Sequence, residues 1–254
     1  MILTVDAGNS NIVLGCMEGL EIRRTLRLKT DRAMSTAGYT VTLQAALAQA
    51  GFSAAGFEGG ILSSVVAAVT EPLRQALSAL LSGPVLVVGK TAKTTLPLCI
   101  DQPETIGADL IATAEGALAQ YAPPLVLIDM GTATTFSVLD KSGAFLGGAI
   151  APGVQLGAEA LTQRTGLPMT ELSAPQSPLS HSTTDCLCSG IIYGAAAMVD
   201  GMLDRLETAL GTPVTAIATG GLARCVIPHC RRPVTLDDQL LLRGLAVMYR
   251  REMT

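Results

Sequence analysis

The stretch VLIDMGTATTFSVLD, residues 126–140, ends an apolar run on one acidic residue, Asp129. Gly131, Thr132, Ala133, Thr134 and Thr135 follow before a second apolar run begins. Apolar β-formers on either side of a glycine read as two strands joined by a tight turn. The N-terminal stretch ILTVDAGNSNIVLG, residues 2–15, has the same form, with Asp6 and Gly8 between two strand-like runs. Asp6 and Gly8 lie 123 positions before Asp129 and Gly131. A lone Asp-x-Gly turn is more often only a hairpin, because Gly supplies positive φ and Asp bonds its own turn backbone. Two copies at one place in two halves weigh differently, since a repeat this long means two similar domains rather than a solenoid.

Outward from the hairpins, the first half reads as a third strand at LRLKT and a helix over TAGYTVTLQAALAQAG. A buried strand follows at GGILSSVV, and then a helix over TEPLRQALSALLSG with Thr70 as its N-cap and Pro72 in its first turn. PVLVVG reads as a short strand, and PETIGADLIATAEGALAQY as a loop entering an Ala-rich helix. The second half repeats strand, turn, strand, turn, strand to Gly153, then a helix at VQLGAEALTQRTG and a Pro/Ser-rich loop over 168–182. One or two helices fill 183–211, PVTAIATGG is a strand entering a double-Gly turn, and DDQLLLRGLAVMYRRE is a closing helix. The domain boundary falls at QYAPP, giving halves of 1–121 and 122–254.

The chain has 254 residues, 49% of them hydrophobic and 15% charged, which disfavours disorder. The net charge of −4, the absence of a basic run and 3% aromatics argue against nucleic-acid binding. No stretch has the roughly 20 uninterrupted apolar residues of a membrane span, and Asp6 within the first apolar run does not suit a signal peptide. A cytoplasmic location is the expectation. Six scattered cysteines suit reduced thiols better than a disulfide framework, and Cys186-Leu187-Cys188 lacks the second pair that a zinc site needs.

Gly8-Asn9-Ser10 and Gly131 to Thr135 offer backbone N–H groups and hydroxyls without bulk, which suits phosphate oxygens. Asp6 and Asp129 are then expected to face each other across a cleft, where carboxylates hold Mg²⁺ directly or through water. Neither the Gly-Lys-Ser/Thr phosphate loop nor the Gly-x-Gly-x-x-Gly dinucleotide turn is present.

Together these features resemble the actin, hexokinase and acetate kinase superfamily, and within it the type III pantothenate kinase family. DAGNSNIVLG and DMGTATT resemble the family's two phosphate motifs, LSSVV and IGAD its middle motifs, and GGAIAPGV, SGIIYG, VDG and TGGLA its C-terminal half. The resemblance implies an α/β fold of duplicated ribonuclease H-like (actin-like ATPase) domains. Each would hold a mixed five-stranded sheet with flanking helices, with the active site in the cleft between them. It implies ATP-dependent phosphorylation of pantothenate, the first step towards coenzyme A, by a homodimer that packs through the long helix after residue 183. It assigns the general base to Asp109, water-mediated Mg²⁺ to Asp6, and a monovalent cation (K⁺ or NH₄⁺) to Asp129. Gly8, Asn9, Ser10, Gly131, Thr132, Thr134 and Thr135 would bind phosphate, Gly220 and Gly221 the adenosine side. Gly107, Ala108, Asp109 and Thr183 would bind pantothenate. Without the resemblance, Asp109 reads as an acid favouring a helix N-terminus, Thr183 as a helix N-cap, and Gly220-Gly221 as a strand end.

The sequence departs from the family pattern at three places. Leu110 stands where the family has an Arg for the substrate carboxylate, and Arg32 and Arg164 are the candidates to replace it. STAGY, 35–39, lacks an acidic pair before the Tyr, and SHST, 180–183, lacks the usual Gly and basic residue. The Leu110 change leaves open a nucleotide-binding regulator or a kinase for another small hydroxylated acceptor.

Overall fold

Two five-stranded sheets form, and both are laid down in the same order. The computed structural model describes residues 1–168 and 171–254. In the first sheet β1 (Ile2–Ala7), β2 (Asn11–Glu18) and β3 (Glu21–Lys29) make an antiparallel meander. β4 (Gly60–Ser64) and β5 (Val85–Val87) add in parallel beyond β1, for the order β3-β2-β1-β4-β5. In the second, β6 (Leu125–Met130), β7 (Ala133–Leu139) and β8 (Phe145–Pro152) repeat the meander. β9 (Thr215–Thr219) and β10 (Thr235–Leu236) add in parallel beyond β6. The register shifts at Cys16/Met17 in β2 and at Val138/Leu139 in β7, which are corresponding places. β1 and β6 share one burial pattern, in which the half-buried position is Asp6 in one and Asp129 in the other. The spacing of 123 in the sequence is therefore a duplication of fold.

The helices are α1 (Thr36–Gln49), α2 (Ala67–Leu80), α3 (Ala108–Leu118), α4 (Val154–Thr165), α5 (Thr183–Leu210), α6 (Ala223–Val226) and α7 (Leu240–Met253). The chain forms two units: residues 1–96, 101–120 and 239–254, and residues 97–100 and 121–238. In the first unit Leu3, Val5 and Ala7 of β1 pack with Tyr39, Leu43 and Leu47 of α1 and Leu73 and Leu77 of α2. On the other face Ile2 and Ile61 pack with Ile111 and Ala112 of α3 and Leu245 and Met248 of α7. Each buried Val, Leu, Ile or Met side chain among these contributes about 1.5–3 kcal/mol. Strand alternation puts Asp6 on the face of Ile2, the side covered by α3 and α7. In the second unit Val126, Ile128 and Met130 face Ile192, Ala196, Val199 and Leu203 of α5, so Asp129 lies on the opposite face.

The last helix departs from the simple division at residue 121. α7 packs on α3 in the first unit, because glycines let the two backbones touch. A Cβ on Gly244 would lie 1.7 Å from the Ala112 carbonyl oxygen, and one on Gly116 would lie 2.0 Å from that of Leu240. Arg251 of α7 then forks onto the buried Glu115 of α3 at 3.0 and 3.1 Å, and Thr94 Oγ1 donates to the same carboxylate at 2.8 Å.

Three further differences have local causes. α2 starts at Ala67, not after Thr70. Ser64 Oγ accepts the Thr70 hydroxyl at 2.8 Å and the Val66 N–H at 3.3 Å, so Thr70 lies inside the first turn and bonds Ser64 at the end of β4 instead of capping the helix. Pro72 consequently falls in the second turn, where one helix hydrogen bond is lost. α5 is one helix, capped by Ser182, whose Oγ accepts the Asp185 N–H; Thr183 is its first residue rather than its cap. Of the loop over 168–182, residues 169 and 170 lie outside the described residues. α5 has the length and hydropathy of a membrane span, yet one face fills the second unit's core, and Asp200 accepts the backbone N–H groups of Arg231 and Arg232.

Candidate active site

The first hairpin is built by a loop that braces it from outside. The Gly8 N–H closes the turn on the Asn11 carbonyl at 2.9 Å, leaving Asn9 and Ser10 exposed at the tip. Thr30, just after β3, donates its hydroxyl to the Gly8 carbonyl at 2.7 Å and its N–H to the Ser10 carbonyl at 3.1 Å. Arg32 Nη2 donates to Asn9 Oδ1 at 2.9 Å. Two hairpin carbonyls and one side-chain oxygen are thus occupied by the loop after β3. Asp6 stands opposite Ser63 on β4, and Ser63 Oγ is buried with no hydrogen-bond partner among the described residues.

The second hairpin is braced by glycines. A Cβ on Gly153, the N-cap of α4, would lie 2.1 Å from the Thr132 carbonyl oxygen, so the start of α4 lies directly on the hairpin tip. Gly220 has φ +96°, and a Cβ there would lie 2.6 Å from both Asp129 Oδ1 and the Met130 nitrogen. Asp129 is flanked in register by Thr135 and Thr219. Thr135 Oγ1 is buried without a partner among the described residues. Thr134 points to the core face with Phe136, away from Asp129, and its hydroxyl is likewise buried and unpaired. Ala in place of Gly220 is expected to lower the melting temperature, because both the positive φ and the carboxylate's space are lost. Gly221 has open space around it. Its Ala variant is expected to keep the parent's melting temperature, measured by thermal denaturation.

Asp109 is the second residue of α3, after the N-cap Gly107. Its Oδ1 accepts the Leu110 N–H at 2.9 Å, and a Cβ on Gly107 would lie 2.3 Å from that oxygen. The carboxylate therefore folds back over the glycine. Burial pushes its pKa up, and hydrogen bonds from Leu110 and from its own N–H offset this in part. Among the described residues no basic side chain pairs with it, and Leu110 beside it supplies no charge. α3 covers the same sheet face that carries Asp6, so the first unit places both acids on one side. Thr183 is exposed at the start of α5.

The donor set suits hard cations. Carboxylates, together with the buried Ser63 and Thr135 hydroxyls that lack partners among the described residues, suit Mg²⁺ or K⁺ as oxygen ligands. Among the described residues no three His, Cys, Asp or Glu cluster as a closed metal cage, and this includes Cys186 and Cys188. An ion that brings part of its shell from water and phosphate fits such an open arrangement. Sequence reasoning missed the bracing role of Thr30, the contact of Arg32 with Asn9, and the seat of Gly153. For the last the signal was present in GGAIAPG.

Two sheets of the same strand order, each with an Asp-Gly hairpin on its central strand, define the duplicated actin-like ATPase fold. A glucokinase of the ROK family from Streptomyces griseus shares it, with a TM-score of 0.56 at 15% identity over 98% of both chains. Residues 2–205 match the type III pantothenate kinase family. Type III pantothenate kinases of an Exiguobacterium species and of Pelobacter propionicus are 38% and 36% identical over 252 residues, 99% of this chain and of each relative. The chain belongs to the type III pantothenate kinase family.

Proposed function

We propose that this chain transfers the γ-phosphoryl group of ATP to the terminal hydroxyl of pantothenate, giving 4′-phosphopantothenate, the first step of coenzyme A biosynthesis. The observation that carries this is full-length membership of the family with Asp6, Asp109 and Asp129 all in place. Asp109 takes the proton from the pantothenate hydroxyl as the phosphoryl group arrives, and its half-buried position beside the α3 N-terminus supports that role. The hairpin donors around Gly8, Asn9 and Ser10 and around Gly131 and Thr132, with the Thr135 hydroxyl, hold phosphate oxygens. Thr134 contributes through its backbone, since its side chain points to the core. Gly220 and Gly221 give adenosine its approach. Gly107, Ala108 and Thr183 contact pantothenate. Asp6 orients Mg²⁺ through water and Asp129 a monovalent cation. When bound with ATP, these ions offset the charge on the transferring phosphoryl group. The relatives matched over the full length favour neither a non-catalytic regulator nor another acceptor.

The test is phosphopantothenate formation followed by mass spectrometry, with ATP, Mg²⁺ and pantothenate, with and without K⁺ or NH₄⁺. Product that depends on the monovalent cation is expected. A folded protein that binds ATP yet yields no product would reject pantothenate as the acceptor.

The same proposal includes a homodimer and a cytoplasmic location. The second unit exposes Ile150, Leu156 and Leu161, and α5 presents Gly190, Gly194 and Ala197 on its exposed side. Small residues in such a row let a second helix approach closely, and the six free cysteines suit a reducing compartment. Sedimentation is expected to give a dimer, and a monomer at micromolar concentration would reject it.

A further inference from the structure

We propose that Arg32 binds the nucleotide phosphates at the first hairpin, both by fixing Asn9 with its amide donors outward and by bringing a positive charge to a tip that carries none. This rests on the reading of Gly8, Asn9 and Ser10 as phosphate ligands.

The position of Arg32 is imposed by its neighbours. Asp31 Oδ1 accepts the Ala33 N–H at 2.9 Å, and the Asp31 carbonyl accepts the Met34 N–H at 3.3 Å. The same carbonyl accepts the Tyr39 hydroxyl at 2.7 Å, and Tyr39 is buried in the first unit's core. Residue 32 therefore stands at the outer corner of a turn bolted to α1, immediately after Thr30 has bonded both ends of the hairpin tip. A long cationic side chain there would ordinarily be a solvated surface group. Here its Nη2 is spent on Asn9 Oδ1 at 2.9 Å, across 23 residues of chain.

Two chemical consequences follow. An Asn whose oxygen is taken presents its NH₂ group, two donors, on the other side. A guanidinium has five donors in a planar fork, and one bond leaves the rest free for a second acceptor. No carboxylate pairs with Arg32, so its charge is not neutralised within the described residues. The hairpin itself, Gly8 to Ser10, contains no basic residue. An arginine delivered from the next loop completes an anion site that the local sequence leaves without charge.

The experiment compares the parent with Arg32→Gln, Arg32→Lys, Asn9→Ala and the Arg32→Gln/Asn9→Ala pair. Affinities for ATP and for adenosine are measured by calorimetry, alongside KM for ATP and for pantothenate. Arg32→Gln is expected to weaken ATP tenfold or more, to leave adenosine affinity and KM for pantothenate within twofold, and to keep the parent's melting temperature. Arg32→Lys, which keeps the charge without the fork, falls between. The double variant should lose less than the product of the single losses, since both residues act on one phosphate. If Asn9→Ala weakens ATP but Arg32→Gln does not, Arg32 is a surface residue and the hairpin reading survives. If neither weakens ATP, the hairpin reading fails and this proposal with it. A rise in KM for pantothenate alone after Arg32→Gln assigns Arg32 to the substrate carboxylate instead and overturns the proposal.

Discussion

Asn in place of Asp109 is expected to lower kcat about 10³-fold, within the 10²–10⁴ that a general base supplies, while ATP still binds. The same change should leave the fold intact or strengthen it. Asn keeps the oxygen that accepts the Leu110 N–H, and it removes a carboxylate that burial disfavours in its charged form. The sign follows from linkage. Burial raises the folded-state pKa above 3.8, so the folded protein holds the proton more tightly than the unfolded chain. That contribution to stability is fully present below the unfolded pKa and is lost as pH rises through the folded one. At neutral pH the ionised Asp109 is therefore a cost that Asn does not carry. The variant should melt at or above the parent's temperature at pH 7, with the gap closing in acid. In the parent, kcat/KM should fall on acidification along a limb displaced upward from the ordinary carboxylate range. An Asp109→Asn enzyme with parental kcat would remove Asp109 from the role of base.

Ala in place of Gly244 is expected to destabilise the protein by about 2–3 kcal/mol. Two effects oppose. Ala gains roughly 1 kcal/mol over Gly inside a helix. Its Cβ, however, would sit 1.7 Å from the Ala112 carbonyl oxygen, and the obstacle is backbone, which cannot swing away as a side-chain tip can. Forcing packed elements apart costs about 1–3 kcal/mol and more where backbone must move. In a chain of this size, 2–3 kcal/mol lowers the melting temperature by roughly 5–10 °C. Activity should fall as well, because the helix displaced is α3, which carries Asp109 at its first turn. Thermal melting with parallel assays checks both parts. An unchanged melting temperature would mean that α3 and α7 are not in backbone contact.

The hairpins were legible because their chemistry is local. An apolar run ending on Asp, then Gly and small polar residues, sets strand, turn and the parity of Asp6 and Asp129 within a dozen residues. Parity also decides what propensity cannot, that Thr135 and not Thr134 shares the face of Asp129. The start of α2 was misread because Thr70 looks like a cap, whereas its hydroxyl serves Ser64. Arg32 was visible as a spare cation but not as a partner of Asn9, since that contact spans strands β2 and β3. Leu110 was visible as a missing charge, because an aliphatic side chain beside Asp109 is plain in the sequence. The return of α7 had no local signature, because its cause is a pair of glycines, Gly116 and Gly244, that face each other across 128 positions of sequence.

That return has a consequence for how the polypeptide is made. The first unit is begun at residue 1 and finished at residues 239–254, and residues 121–238 form a continuous insert between its parts. During synthesis at about 5–20 residues per second, the helix bearing Asp109 waits on the order of 10 s, with the surface that α7 will cover still open. The insert, by contrast, has its own sheet and core complete before α7 is translated. Asp109 is thus set on a seat that is translated only after the whole insert. A nascent chain stopped short of residue 239 carries Asp6, Asp109 and Asp129, yet it lacks the helix on which α3 packs.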